Sequence, residues 1–247
     1  MIKKRWQEEK IKKALHVRRV VMLTGARQCG KTTLAKAVCS DDFEYRTLDN
    51  SSHLKLAKTE PEEFIEHDKK TMVIDEVQRA PELILAIKQA VDKNTSCGQF
   101  LITGSADIQS LPTVKESLAG RVKNIRLRPF SYGEYLENPP KFLERLYKKN
   151  FIRNNGFNKK KVIEIALRGG FPEPLMLQGG EESKDWYRDY IDTLLKKDLK
   201  DFANIKRQNA LRELVHVAGT YSSNYINKVK LSERLGISRQ TTDEYLN

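Results

Sequence analysis

A chain of 247 residues is too long for a mini-protein and long enough for one sizeable α/β core with one or two small appendages. No apolar run approaches the roughly 18 residues that a spanning helix needs, and MIKKRWQEEKIKK at the N-terminus lacks a leader-like apolar segment, so no membrane partner is expected. The formal charge of +12 fits polyanionic partners, nucleic acid or only the nucleotide itself, and equally a solvated basic surface. Cys29, Cys39 and Cys97 include no CxxC and accompany no histidine cluster, which argues against a disulfide framework or a zinc site and for a reducing cytoplasm.

In chain order, Ile2 to Leu15 reads as a basic helical arm with Ile2, Trp6, Ile11, Ala14 and Leu15 along one side. Packing against the core is its expected role, with membrane-surface binding as the alternative. Val20 to Leu23 reads as a strand running into Gly25, and Thr33 to Val38 as a helix. Between them GARQCGKT fills every fixed position of a phosphate-binding loop, Gly25, Gly30, Lys31 and Thr32. Such a loop turns backbone N–H groups inward, and a side chain at either glycine is expected to obstruct its wrap around the phosphates. Gly25, Ala26, Arg27, Gln28, Cys29, Gly30, Lys31, Thr32 and Thr33 are therefore the expected nucleotide contacts. Lys31 is expected at the β- and γ-phosphates and the Thr32 hydroxyl on Mg²⁺. Cys29 has two readings: a thiolate favoured by the helix N-terminus, or a small buried side chain filling space.

Phe43 to Leu48 reads as a second strand, with Asp49 and Asn50 either lining a ligand crevice or opening a turn. Residues 51–68 are helical in pattern, with Pro61 opening a second short helix. Thr71 to Glu76 is an apolar strand ending in two carboxylates, which suits Asp75 for the magnesium shell and Glu76 for polarising an attacking water. A helix over Ala80 to Val91 and a fourth strand over Gln99 to Thr103 follow, and Thr103 or Ser105 could sense the γ-phosphate or simply cap the strand end. A fifth strand spans Val122 to Leu127. Arg121 before it reads as a finger reaching a neighbouring subunit in a homo-oligomer, or as an ordinary surface arginine.

Strands alternating with helices, the loop after the first, specify a P-loop NTPase: a five-stranded parallel sheet flanked by helices, with ligands at its carboxyl edge. The expected organisation is an arm over 1–17, this core over 18–130, a helical lid or linker bundle over 131–222 and a helix-turn-helix over 223–247. Everything from Tyr132 to Tyr221 reads helical apart from Asn154 to Asn158 and the loop RGGFPEPL, with helices at 159–168, 183–198 and 207–221. Arg168 or a neighbour in that loop either reaches the nucleotide from the lid side or is structural. In VKLSERLGISRQTTDEYL, Leu231 and Leu235 supply a buried face and Gly236 the turn, while Ser238 caps a helix carrying Arg239, Gln240, Thr241 and Thr242. Such a module grips double-stranded DNA or serves only as a packing unit. The sequence stops at Asn247, barely past two turns of that helix, so a wing or further domain is expected beyond it.

GARQCGKTTL, MVIDEVQ, LITGS, LAGRV, PFSYGEYL and LRGGFPE, in this order, resemble a family of bacterial and archaeal AAA-type ATPases. Its members join an ATPase domain to a winged helix and a nuclease-like domain. The resemblance implies ATP as ligand, Gly25 to Thr33 as its loop, Asp75 and Glu76 in the magnesium and water roles, and Arg121 as a finger. It is compatible with a Mg²⁺-dependent ATPase coupling hydrolysis to conformational change, or with a nucleotide-gated regulator that turns over little.

Overall fold

Alternate residues of β1 (Val20–Gly25) are apolar on both sides, which commits this strand to a sheet covered on both faces. Val20 and Met22 pack with Met72, Ile74, Phe100 and Ile102 under α3 (Ser51–Thr59), α4 (Pro61–Phe64) and α5 (Leu83–Lys93). Val21 and Leu23 pack with Val73, Leu101, Ile125 and Leu127 under α1 (Gln7–Val17) and α2 (Lys31–Val38). The computed structural model describes residues 3–39, 42–105, 118–150, 158–177, 180–201, 208–221 and 224–246. Ile2, most of the expected 154–158 interruption and Asn247 lie outside these residues.

The sheet contains β1, β2 (Phe43–Thr47), β3 (Thr71–Asp75), β4 (Phe100–Gly104) and β5 (Val122–Leu127) in the order β2-β3-β4-β1-β5. Its pairings are parallel, with Val20 opposite Phe100 on one side and Val122 on the other. The carboxyl ends of β1, β3 and β4 therefore lie side by side at one edge, where Gly25, Asp75 and Gly104 stand. Crossovers between parallel strands need helices, and the helical stretches of the sequence supply them.

Local chemistry corrects several expected boundaries. The arm helix begins only at Gln7, because Arg5 and Trp6 are engaged with Glu134 and Asn138 instead. The expected Ala80 to Val91 helix is a 3-10 turn over Val77–Arg79 followed by α5, with Pro81 at the junction. Between the helices Tyr132–Tyr135 and Phe142–Tyr147 the chain leaves helix at Pro139 and Pro140, whose rings disfavour it. Inside RGGFPEPL, Pro172–Met176 forms a short helix with proline at its first position. Among the described residues no helix is long and apolar enough to cross a membrane.

The chain divides into two compact units, Met1–Gln178 and Gly179–Asn247. The second holds helices Gly180–Asp201, Gln208–Thr220, Lys228–Leu235 and Arg239–Leu246. Leu214, Val217, Leu231 and Leu235 form its core, with Ile237 and Leu246 packed on it. Gly236 ends Lys228–Leu235 in the left-handed conformation at φ 60°. The Ser238 hydroxyl accepts from the Thr241 N–H at 3.0 Å, capping the last helix. Arg239 and Gln240 are exposed there, whereas Thr242 is fully buried with its hydroxyl on Ser238 O, so Thr242 is a packing residue.

Candidate nucleotide site

The loop from Gly25 to Thr32 joins the carboxyl end of β1 to α2. Its two glycines serve different purposes. A Cβ on Gly25 would sit 2.2 Å from the Leu127 carbonyl oxygen, so this glycine admits the close approach of β5. A Cβ on Gly30 would make only ordinary contacts, with Arg5 Nη1 at 3.7 Å and Pro172 Cγ at 3.9 Å, but Gly30 adopts φ 96°, which only glycine holds without strain. This packing requirement at Gly25 is additional to the expected clearance of the phosphate path. Gly30 precedes α2 without any side-chain cap, so the first N–H groups of that helix face the loop uncapped. Lys31 is buried and donates from Nζ to Gly25 O at 3.2 Å and Ala26 O at 3.0 Å, which folds its ammonium back over the loop's first limb.

A chain of polar contacts runs from this loop across the tips of β3 and β4. Thr32 Oγ1 donates to Asp75 Oδ2 at 2.8 Å, and Tyr45 OH, from β2, donates to the same oxygen at 2.9 Å. Thr103 donates to Asp75 Oδ1 and accepts from the Glu76 N–H at 3.2 Å. Glu76 itself adopts φ 62°, a left-handed conformation that costs a non-glycine residue about 1 kcal/mol and that collects at functional sites. Its carboxylate accepts from Gln78 Nε2, and Gln78 Oε1 accepts in turn from the Ser105 N–H at 3.2 Å. Burial, then its bond to Asp75, push the Tyr45 hydroxyl up to about 12, so it stays a donor at any physiological pH.

The structure thus gathers Lys31, Thr32, Asp75, Glu76 and Thr103 at one sheet edge beside the loop. It places Arg121 elsewhere. Val20 N–H donates to Arg121 O at the amino end of β5, the end of the sheet away from the loop. There the guanidinium is bidentate on Asp92, Nε at 2.5 Å and Nη2 at 3.0 Å. Asn50 caps α3 through Ser52 N–H and His53 N–H, and Asp49 pairs with Arg79, so the polar end of β2 is taken up by local structure. Cys29 is fully buried, and desolvation raises its thiol pKa against the opposing pull of Lys31 and Arg5, so the packing reading of this cysteine holds.

Three participants were not singled out in the sequence. Tyr45 and Gln78 are two, since only the pairing of β2 with β3 and the turn after Glu76 bring them in. Arg5 is the third. It is 5 % exposed, donating from Nε to Glu134 Oε1 at 3.1 Å, from Nη1 to Cys29 O at 3.0 Å and from Nη2 to Arg128 O, with Phe130 stacked 4.0 Å away. Glu134 closes a capping box with Ser131 and accepts from the Trp6 N–H. Burial works against ionisation of Glu134, but the Ser131 and Trp6 N–H groups and Arg5 outweigh it and hold the carboxyl below its usual range. The pattern Ser131-Tyr132-Gly133-Glu134 was the available signal, since S-x-x-E announces such a box.

The loop RGGFPE packs here too. Phe130 N–H donates to Gly170 O at 2.7 Å, and a Cβ on Gly170 would meet Phe130 O at 2.3 Å. Pro172 lies 3.9 Å from where a Cβ on Gly30 would stand. Arg168 stacks on Tyr135 at 4.6 Å and donates to its hydroxyl at 3.1 Å.

Residues 17–136 match the family model of an AAA domain, and residues 159–247 match that of a domain of unknown function. An uncharacterized protein of Mycobacterium tuberculosis is 28 % identical over the whole of this chain and 51 % of its own length. One from Methanocaldococcus jannaschii is 22 % identical over 92 % of this chain and 54 % of its own length. The chain therefore spans about half the length of the curated relatives it matches. Among solved structures, a Walker-type ATPase of Pyrococcus abyssi superposes with a TM-score of 0.52 at 15 % identity, over 85 % of this chain and 78 % of the other, a likeness of fold. With the loop, the strand order and the family match in agreement, the chain carries an AAA-type P-loop NTPase domain.

Proposed function

We propose that this domain binds ATP with Mg²⁺ at the Gly25 to Thr33 loop and hydrolyses it, using the energy to change its conformation. The observation that supports this reading is the continuous contact path Thr32–Asp75–Thr103–Glu76 beside the loop. Thr32 and Asp75 offer the hard oxygen donors that suit Mg²⁺. When bound, such an ion neutralises charge developing on the β- and γ-oxygens.

The chain's own groups divide the remaining work. Uncapped N–H groups at Gly30 and the start of α2 receive phosphate oxygens, and Lys31 swings from Gly25 O and Ala26 O to the β- and γ-phosphates. Glu76 accepts a proton from the attacking water, and Thr103 stands between Asp75 and Glu76 where it registers the γ-phosphate. Arg121 serves a neighbour's site in a homo-oligomer only after leaving Asp92.

Steady-state phosphate release from wild type and Glu76→Gln tests the reading. Expected is a loss of turnover of about 100-fold or more with ATP affinity retained. Equal inertness of both proteins, with and without DNA, favours the second reading, a nucleotide-gated regulator. The Gln78 bond to the Glu76 carboxylate supports that alternative, because it occupies the group that would accept the proton. In either case double-stranded DNA is the proposed partner of residues 229–247, where Arg239 and Gln240 are exposed at the start of the last helix.

A further inference from the structure

The phosphate loop has an external anchor. The peptide joining Cys29 to Gly30 is planar, so its carbonyl and the following N–H point in opposite directions. Arg5 donates to the Cys29 carbonyl at 3.0 Å, which turns the Gly30 N–H away from Arg5 and into the loop. The neighbouring peptides are tied by Cys29 N–H to Ala26 O at 3.4 Å and by Leu34 N–H to Gly30 O at 3.0 Å, while the carbonyl of the Cys29–Gly30 peptide itself is held by Arg5. Arg5 in turn is immobilised from three sides: Glu134 at 3.1 Å, Arg128 O, and the face of Phe130 at 4.0 Å. Its planar fork addresses three separate acceptors at once, which an ammonium on a flexible stem does not.

We propose that Arg5 is a positioning residue for nucleotide binding: through the Cys29 carbonyl it presets the Gly30 N–H toward the phosphate. The inference rests on the nucleotide-binding reading above. It makes the N-terminal arm a part of the phosphate site, reached across 24 residues of sequence, and no longer only a cover for the sheet. Glu134 is then the residue that pairs with the buried guanidinium and aims it, its own carboxylate fixed by the Ser131 capping box.

A merely structural Arg5–Glu134 pair and a positioning Arg5 predict different behaviour in a double variant. Equilibrium titration with Mg²⁺-ATP and with pyrophosphate, together with thermal unfolding of the nucleotide-free protein, is measured for wild type, Arg5→Met, Arg5→Lys and Arg5→Met combined with Glu134→Gln. Arg5→Met leaves Glu134 buried without its cation and lowers the melting temperature. The double variant, neutral at both positions, regains much of that stability yet binds both probes about tenfold or more weakly than wild type, since the Gly30 amide is no longer preset. Wild-type affinity in the double variant would show that Arg5 serves only to neutralise Glu134 and overturns the proposal. Should the double variant not fold, Arg5→Lys decides, because it keeps the charge while losing the fork: a comparable loss of affinity is expected, and none overturns the proposal. A wild-type chain that binds neither probe overturns both this inference and the nucleotide reading, whereas tight wild-type binding matched by every variant overturns this inference alone.

Discussion

Thr32 and Asp75 stand 43 residues apart in sequence and are joined by a 2.8 Å hydrogen bond from hydroxyl to carboxylate. The bond ties the first turn of α2 to the tip of β3, so the two oxygens proposed for the metal are already adjacent before any ligand arrives. Tyr45 donates to the same carboxylate oxygen, which makes Asp75 an acceptor held on both sides. If Mg²⁺ binds as proposed, Thr32 and Asp75 would hold it with the oxygens that the hydrogen bond already brings together.

Removing that hydroxyl therefore selectively weakens the metal effect. In wild type, Mg²⁺ is expected to tighten ATP binding; in Thr32→Ala that gain shrinks by roughly 10- to 100-fold, while metal-free ATP binds much as before. Thr32→Ser restores it. Paired titrations with magnesium and with EDTA measure the difference, and an undiminished magnesium effect in Thr32→Ala would show that the ion, if bound, uses other donors.

Gln78 bridges the Glu76 carboxylate to the Ser105 N–H. Because the Gln78 amide holds one oxygen of the Glu76 carboxylate, Gln78→Ala frees it and is expected to raise basal phosphate release several-fold, up to about tenfold, the worth of one charge-assisted hydrogen bond. Affinity for ATP should move little. A fall in turnover would instead make Gln78 the residue that aims Glu76.

What could be read from the sequence and what could not divides along one line. The apolar run of β1 and the fixed spacing from Gly25 to Thr32 are local, and the strand and helix they announce both appear in the fold. Asp75 and Glu76 were legible because an apolar strand ends on them. Tyr45, by contrast, reads only as a strand aromatic until β2 is known to lie beside β3, and Arg5 reads as one more basic residue of a basic arm. Charge balance says that cations are abundant; it does not say that Arg5 is among the few that are buried, at 5 % exposure against the loop. Arg121 shows the converse, since its place before β5 is local but its bond to Asp92 is not.

The two loop glycines should fail differently when given a methyl group. Gly25→Ala drives a Cβ to within 2.2 Å of a backbone oxygen that belongs to a strand, where relief requires the sheet edge to move. Roughly 3 kcal/mol of stability should be lost, visible as a lower denaturant midpoint. Gly30→Ala meets no atom closer than 3.7 Å and strains only φ, so about 1 kcal/mol is expected, with nucleotide affinity suffering more than stability. Equal destabilisation by both substitutions would contradict the separate reasons assigned to them.

Acid should weaken the arm's attachment through Glu134. Its folded-state pKa lies below the ordinary 4.5, so the stability it contributes is complete above that value and is lost as pH falls through the depressed pKa. Protonation removes the negative charge that faces Arg5 and weakens the bonds from Arg5 and the Trp6 N–H while leaving the guanidinium buried. Glu134→Gln imitates that state at every pH, and near neutrality it should cost on the order of 2–3 kcal/mol, less than an orphaned buried ion because Arg5 keeps its two carbonyl partners. Denaturant titrations of wild type and Glu134→Gln across pH 7 to 3 give the difference directly: it should be constant from about pH 7 to 5 and shrink below about 4.5. A difference that stays constant down to the acid limit would mean that the Glu134 carboxyl is not depressed by folding, and that Arg5 draws its hold on the loop from the carbonyls alone.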